Sequence, residues 1–253
     1  MARFDRAVLP PEDLAPVIEW TEFLELMDWR QDQHVAMVGP TGQGKTNATY
    51  HLLAMRDFVA YFSIKPQDRT LERFAKRGGY TRIESWPPMI KRMGRRARPA
   101  EPEEMPRRLL WPDATRLDSE ETQRVVFRKA LGDIYTAGGW CTVLDDYWYF
   151  STILGFEKDT KKFLMNARSN MIPLVICLQR PAGARIVEIF DQSDHLFFFR
   201  DNDERNLKSI SGVGYLAAEP IKAFVANLER YQMLYINTRS GAMYRTSAPE
   251  LKL

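Results

Sequence analysis

Cysteine and histidine are both scarce, with two of the first and three of the second in 253 residues. Cys141 and Cys177 each sit inside an apolar run and lack metal-ligand spacing. That speaks against a disulfide framework or a zinc site and for reduced core thiols in a cytoplasmic protein. His34, His51 and His195 are scattered and share no metal spacing, so they are expected to be structural, and no structural metal is expected. No run approaches the roughly 18 to 20 apolar residues that cross a bilayer, and the opening MARFDRAVLPPEDL has no signal-peptide core. A soluble chain without a membrane span is expected. There is no internal repeat and no long low-complexity tract. Neither sign of charge dominates: 36 Lys and Arg against 33 Asp and Glu leave a net charge of +3, which permits nucleic-acid contact without arguing for it.

What is present is enough apolar sequence, 45% of the chain, to bury one α/β core across residues 1–253. Its focus is HVAMVGPTGQGKTNATY, residues 34–50. Val35 to Val38 is an apolar run suited to a buried parallel strand, and Gly39-Pro40-Thr41-Gly42-Gln43-Gly44-Lys45-Thr46 matches the phosphate-loop pattern G-x-x-x-x-G-K-[ST]. The glycines let successive N–H groups turn inward around phosphates, Lys45 reaches the β- and γ-phosphates, and the Thr46 hydroxyl suits Mg²⁺. The helix that follows aims its positive end at the same anion. Gly39 to Thr46 together with Asn47 are therefore the expected ATP contacts.

In chain order, residues 1–30 form a Pro-rich lead-in with a helix from Val17 to Trp29, whose apolar positions are Val17, Trp20, Phe23, Leu24 and Met27. After the phosphate-binding helix, Phe58 to Ile64 predicts a strand, Leu71 to Lys76 a short helix and Thr81 to Trp86 an extended piece. Residues 87–108, rich in Pro, Arg and Glu, predict an exposed basic loop. Within it Lys91, Arg92, Arg95, Arg96 and Arg98 form either a phosphate-gripping patch for nucleic acid or a solvated face. Asp118 with Glu121 suggests a helix cap, followed by an apolar face through Val126, Ala130, Leu131 and Ile134 up to Gly138-Gly139. Strands are expected at Trp140 to Leu144, Ile172 to Leu178 and Leu196 to Phe199, and a helix at Phe156 to Ala167. Residues 219–253 predict a helix near Ile221 to Leu228 and a terminal β-hairpin, Tyr231 to Asn237 with Ala242 to Thr246.

The strand Val143-Leu144 runs into Asp145-Asp146. A phosphate-loop enzyme needs a strand-end carboxylate facing Mg²⁺ and a second one that orients or deprotonates water. Asp145 is assigned to the metal, through water, and Asp146 to the attacking water; a helix cap or a solvated turn is the other use of such a pair. Gln179, at the end of IPLVICL, would face the same crevice if the strands are parallel. The aromatics Tyr147, Trp148, Tyr149 and Phe150 suit the core or a subunit contact better than base stacking.

Taken together, GPTGQGKT, VLDD, NARSN and IPLVICLQRP resemble, in order, the FtsK/HerA superfamily of ring-forming DNA translocases and packaging motors, over about residues 30–215. FSIKPQD resembles that family's strand ending in Asp-Pro-Lys, with Ser63 where Asp is frequent, and Asp146 stands where Glu is common. The resemblance implies an α/β P-loop NTPase of the additional-strand (ASCE, RecA-like) type: a mostly parallel central sheet flanked by helices, with the Gln179 strand between the glycine-loop and Asp145 strands. It makes Gln179 the sensor and Arg168 a finger acting on a neighbour's nucleotide. Its further implications are Mg²⁺-dependent ATP hydrolysis, a hexamer-like homo-oligomeric ring, double-stranded DNA as the moved substrate, and the cytoplasm of a bacterium or of a virus-infected host. Two alternatives stay open: an assembly or secretion ATPase acting on protein, and a P-loop kinase of a small molecule.

Overall fold

A computed structural model describes residues 12–91, 96–116, 118–181, 186–210 and 218–251. The elements alternate along the chain. α1 (Trp20–Met27) precedes β1 (Val35–Val38), then come α2 (Lys45–Leu53), β2 (Val59–Phe62), α3 (Arg69–Arg77) and β3 (Thr81–Ile83). The short strands β4 (Met89–Ile90) and β5 (Arg98–Pro99) pair only with each other, before β6 (Arg107–Leu110). Next are α4 (Glu120–Ala137), β7 (Cys141–Leu144), α5 (Glu157–Asn166), β8 (Leu174–Leu178), α6 (Ile186–Gln192) and β9 (His195–Phe199). The last elements are α7 (Glu204–Ile210), α8 (Ala218–Asn227), β10 (Gln232–Asn237) and β11 (Met243–Ser247).

Nine strands form one sheet in the order β11-β10-β9-β1-β8-β7-β2-β6-β3. Pairing is parallel from β9 through β3, while β10 pairs antiparallel with both β9 and β11, the latter pair being the expected hairpin at one edge. The Gln179 strand β8 lies between β1 and β7. Both faces of the sheet are covered, so its central strands are buried throughout and apolar at nearly every position, and alternate their side chains between two cores. Val35 and Met37 pack with Phe23, Leu52 and Phe74, whereas Ala36 and Val38 pack with Phe127, Ile134, Leu164 and Phe224. In α1, Trp20, Phe23 and Met27 are buried, but Val17 is 61% exposed and lies outside the helix.

The stretch 87–108 is not a plain exposed loop. It contains the β4/β5 pair and ends in β6, an interior strand held between β2 and β3. Arg108, which looks like part of a basic run, is buried. Its guanidinium lies 4.7 Å from the Trp86 ring centre and 4.6 Å from that of Trp140, and it donates to the carbonyls of Met105, Ala100 and Glu101. Burial lowers its pKa to about 10, with Glu101 opposing the shift. α4 begins after Ser119 rather than on an Asp118 cap, and Asp118 instead pairs with Arg116. The seven-residue helices α6 and α7 were not anticipated from the sequence.

Candidate active site

The phosphate loop leaves the carboxyl end of β1 and enters α2 at Gly44, whose φ of 105° is a left-handed conformation that favours glycine. Gly39 is required for a different reason: a Cβ there would stand 2.7 Å from Cβ of Phe199 in the adjacent β9. Ala48, Leu52 and Leu53 anchor α2 in the core, so the backbone N–H groups of its first turn point out of the sheet's carboxyl edge. Lys45 is buried and folds over the loop, donating to the carbonyls of Gly39 and Pro40. Burial lowers its pKa, with Asp145 among the groups opposing the shift.

Because β1, β8 and β7 are parallel neighbours, they deliver the loop, Gln179 and Asp145 to one edge. The Gln179 amide donates to Asp146 Oδ2 at 2.7 Å, and its carbonyl oxygen accepts from the Thr41 hydroxyl at 3.2 Å. One side chain thus ties the phosphate loop to the second carboxylate. Burial raises the Asp146 pKa and the Asp145 charge adds to the rise, against the Tyr149 N–H. The Asp146 carboxylate is therefore more basic than an exposed one, as suits a group that takes a proton from water. Lys65 and Asp68 complete the edge. The Lys65 ammonium is 3.4 Å from Asp145 Oδ2 and 2.8 Å from Asp68 Oδ2, and Asp68 also caps α3 through the Leu71 N–H. Burial alone would lower the Lys65 pKa, but Asp145 and Asp68 outweigh it and raise it. Asp68 was not singled out from the sequence, although an Asp three residues before the first apolar position of a helical pattern, Leu71, is a capping signal.

Among the described residues no group of three or more His, Cys, Asp and Glu is placed to hold a metal ion. The donors at this edge, the Thr46 hydroxyl and the Asp145 carboxylate, are hard oxygens and few. They fit Mg²⁺, which keeps several waters and takes further ligands from substrate phosphates. The loop, Asp145, Gln179, Lys65 and Asp68 share a cavity of about 400 Å³ with Thr70, Arg230, Tyr231, Ala248, Glu250 and Leu251.

Other sequence-derived candidates are placed elsewhere. Asn47 lines the cavity, but its side chain holds the chain after β11, bonding to the carbonyls of Ala248 and Pro249 and to the Leu251 N–H. Arg168, expected to face a neighbouring subunit, is turned inward: it pairs with the buried Asp194 at 2.9 Å and donates to the Gln192 carbonyl. Asp194 precedes β9 and accepts from the His34 N–H, so this pair sits at the amino edge of the sheet, roughly 16 Å along β1 from the phosphate loop. Lys91 and Arg96 are exposed, Arg98 is held by both oxygens of Glu104, and Arg92 and Arg95 lie outside the described residues. Tyr147 and Phe150 are buried, while Trp148, entering a π-helical turn at Tyr149–Ile153, is 61% exposed. His34 and His195 are buried and their pKa values are lowered to about 4 by desolvation, so both are neutral core residues.

Arg168→Ala is expected to destabilise the fold by about 2–3 kcal/mol, measured by urea unfolding, because Asp194 stays buried with Arg239 as its remaining ionic partner. Burial alone would raise the Asp194 pKa. Arg168, the His34 N–H and Arg239 outweigh it and hold the group below the usual carboxylate range. A depressed folded-state pKa contributes stability above the unfolded value and loses it as pH falls through the folded one. The gap between wild type and variant is therefore full at neutral pH and narrows on acidification below the usual carboxylate range. Unchanged stability, with hydrolysis alone abolished, would return Arg168 to a catalytic role.

The parallel sheet order with β8 between β1 and β7, the loop between β1 and α2 and the carboxylates at the end of β7 define the fold: a P-loop NTPase fold of the additional-strand type. Comparison with protein-family models gives no match, and neither does comparison with curated sequences. Solved structures do match. The genome-packaging NTPase B204 of Sulfolobus turreted icosahedral virus 2, in complex with sulfate, superposes with a TM-score of 0.62 at 15% identity, over 88% of this chain and 99% of that one. B204 of Sulfolobus turreted icosahedral virus, described as a DNA-packaging ATPase, gives 0.58 at 17% identity over 88% and 100%. ATPases 2 and 3 of Thermomonospora curvata EccC, in complex with a signal sequence peptide, give 0.56 at 14% identity over 87% of this chain and 37% of that one. Among the described residues no helix is long and apolar enough to cross a membrane.

Proposed function

We propose that the chain hydrolyses ATP with Mg²⁺ and, as a homo-oligomeric ring, drives the movement of double-stranded DNA. The observation that carries this reading is the linkage across three adjacent strands, in which Gln179 of the middle one bonds both Thr41 of the phosphate loop and Asp146. Lys45 and the α2 N-terminus bind the phosphates, Asp146 takes the proton of the attacking water, and Gln179 holds Asp146 in register with the loop. Bound Mg²⁺, held by Thr46 and Asp145, would neutralise phosphate charge. Likeness to a genome-packaging NTPase over 88% of this chain and 99% of that one supports DNA as the moved substrate. The EccC likeness supports a second reading, in which the substrate is protein.

The test is ATP turnover with duplex DNA, with unfolded polypeptide and with neither, on particles of determined mass. Stimulation by DNA in an oligomer is expected. Stimulation by polypeptide alone selects the second reading, and a monomer indifferent to both overturns the motor. Replacing Lys91 and Arg96 together by Ala is expected to reduce the log–log salt slope of duplex binding by about 1.8, at about 0.9 per lost phosphate contact, and to leave basal hydrolysis intact. An unchanged slope assigns these side chains to solvent.

A further inference from the structure

Lys45, Thr46, Asp145 and Gln179 mark the phosphate end of the cavity, so what is left for the nucleoside is the wall beside the mouth of the loop. That wall comes from two segments remote in sequence: Arg230 and Tyr231 before β10, and Ala248, Glu250 and Leu251 after β11. Tyr231 has a φ of 70°, a left-handed conformation uncommon for a bulky residue and one that persists where the surroundings impose it. The result of that conformation is an aromatic ring beside the mouth of the phosphate loop. A Cβ on Gly44 would stand 3.1 Å from Tyr231 Cδ1, the residue is 39% exposed, and the Arg230 guanidinium carbon lies 4.8 Å from the ring centre.

The second segment is latched to the phosphate-binding helix. Asn47, next to Thr46, donates to the Pro249 carbonyl at 2.9 Å and to that of Ala248 at 3.4 Å, and accepts from the Leu251 N–H at 2.9 Å. His51, one turn further on, bonds the Pro249 carbonyl at 2.8 Å.

We infer that Tyr231 is the stacking platform for the nucleobase of the bound nucleoside triphosphate, and that the 248–251 segment, latched by Asn47, closes the other side of the base. This rests on the ATP reading above. An aromatic platform contributes about 5- to 150-fold in affinity per base, whereas a phosphate loop alone binds any polyphosphate. The contrast between ATP and inorganic tripolyphosphate therefore isolates the base.

Calorimetric titration of the full chain with each ligand, in Mg²⁺, is the test. Tyr231→Ala is expected to weaken ATP within that range and to leave tripolyphosphate unchanged, and Tyr231→Phe is expected to retain wild-type affinity for both. Tyr231→Gly, which a left-handed backbone accommodates without strain, is expected to show the same ATP-selective loss and so guards against misfolding. Asn47→Ala is expected to show a smaller loss of the same kind. Equal losses for the two ligands, or no loss, overturn the platform while leaving the phosphate loop standing. A wild-type protein that binds neither ligand overturns the ATP reading and the platform with it.

Discussion

Lys45→Ala is expected to bind Mg²⁺-ATP about 10- to 100-fold more weakly and to lose at least about 10³-fold in kcat/KM. In the folded chain the ammonium is buried against the carbonyls of Gly39 and Pro40, inside the loop that would hold the phosphates. Hydrogen bonds to charged groups contribute about 1.5–3 kcal/mol each, and removing one preorganised donor from developing transition-state charge costs about 10²–10³ in rate. Ala suits the first turn of a helix, so the fold should survive and the loss is one of chemistry. Calorimetry gives the affinity and steady-state turnover the rate. Unchanged affinity would place the nucleotide elsewhere.

Asp146→Asn should separate binding from turnover. The carboxylate is half-buried and accepts from Gln179 at 2.7 Å, and its pKa is raised by burial. Asn keeps the shape and loses the base, which general-base catalysis values at about 10²–10⁴ in rate. kcat is expected to fall by that factor while the Kd for ATP changes less than about threefold. Asp145→Asn should differ, weakening Mg²⁺ binding and lowering the rate together, because Asp145 faces Lys65 and lines the cavity with Thr46. A variant of Asp146 that loses binding but not turnover would exchange the two roles.

The phosphate loop was readable from the sequence because its geometry is local: the glycines, the lysine and the helix start lie within eight residues, and backbone angles set the site. The strand-end carboxylates and Gln179 were readable for a related reason, since apolar runs of four or five residues fix where a buried strand stops. Arg107–Leu110 was not readable as a strand. Two arginines look like surface charge until Trp86 and Trp140, 22 residues before and 32 after Arg108, supply the cover that makes its burial tolerable. The Arg168 ion pair was hidden in the same way, because its partner Asp194 is 26 residues downstream and carries no local signature. The nucleoside wall was invisible for a stronger reason: Asn47 meets Leu251 across 204 positions, and only the closed sheet brings them together.

The most direct measurement is the product ratio when the purified full chain is incubated with ATP and Mg²⁺. ADP and free phosphate are expected in equal amounts, formed only while Mg²⁺ is present and halted by a chelator. No ADP, or ADP without an equal amount of free phosphate, would contradict a site that directs water at the γ-phosphate.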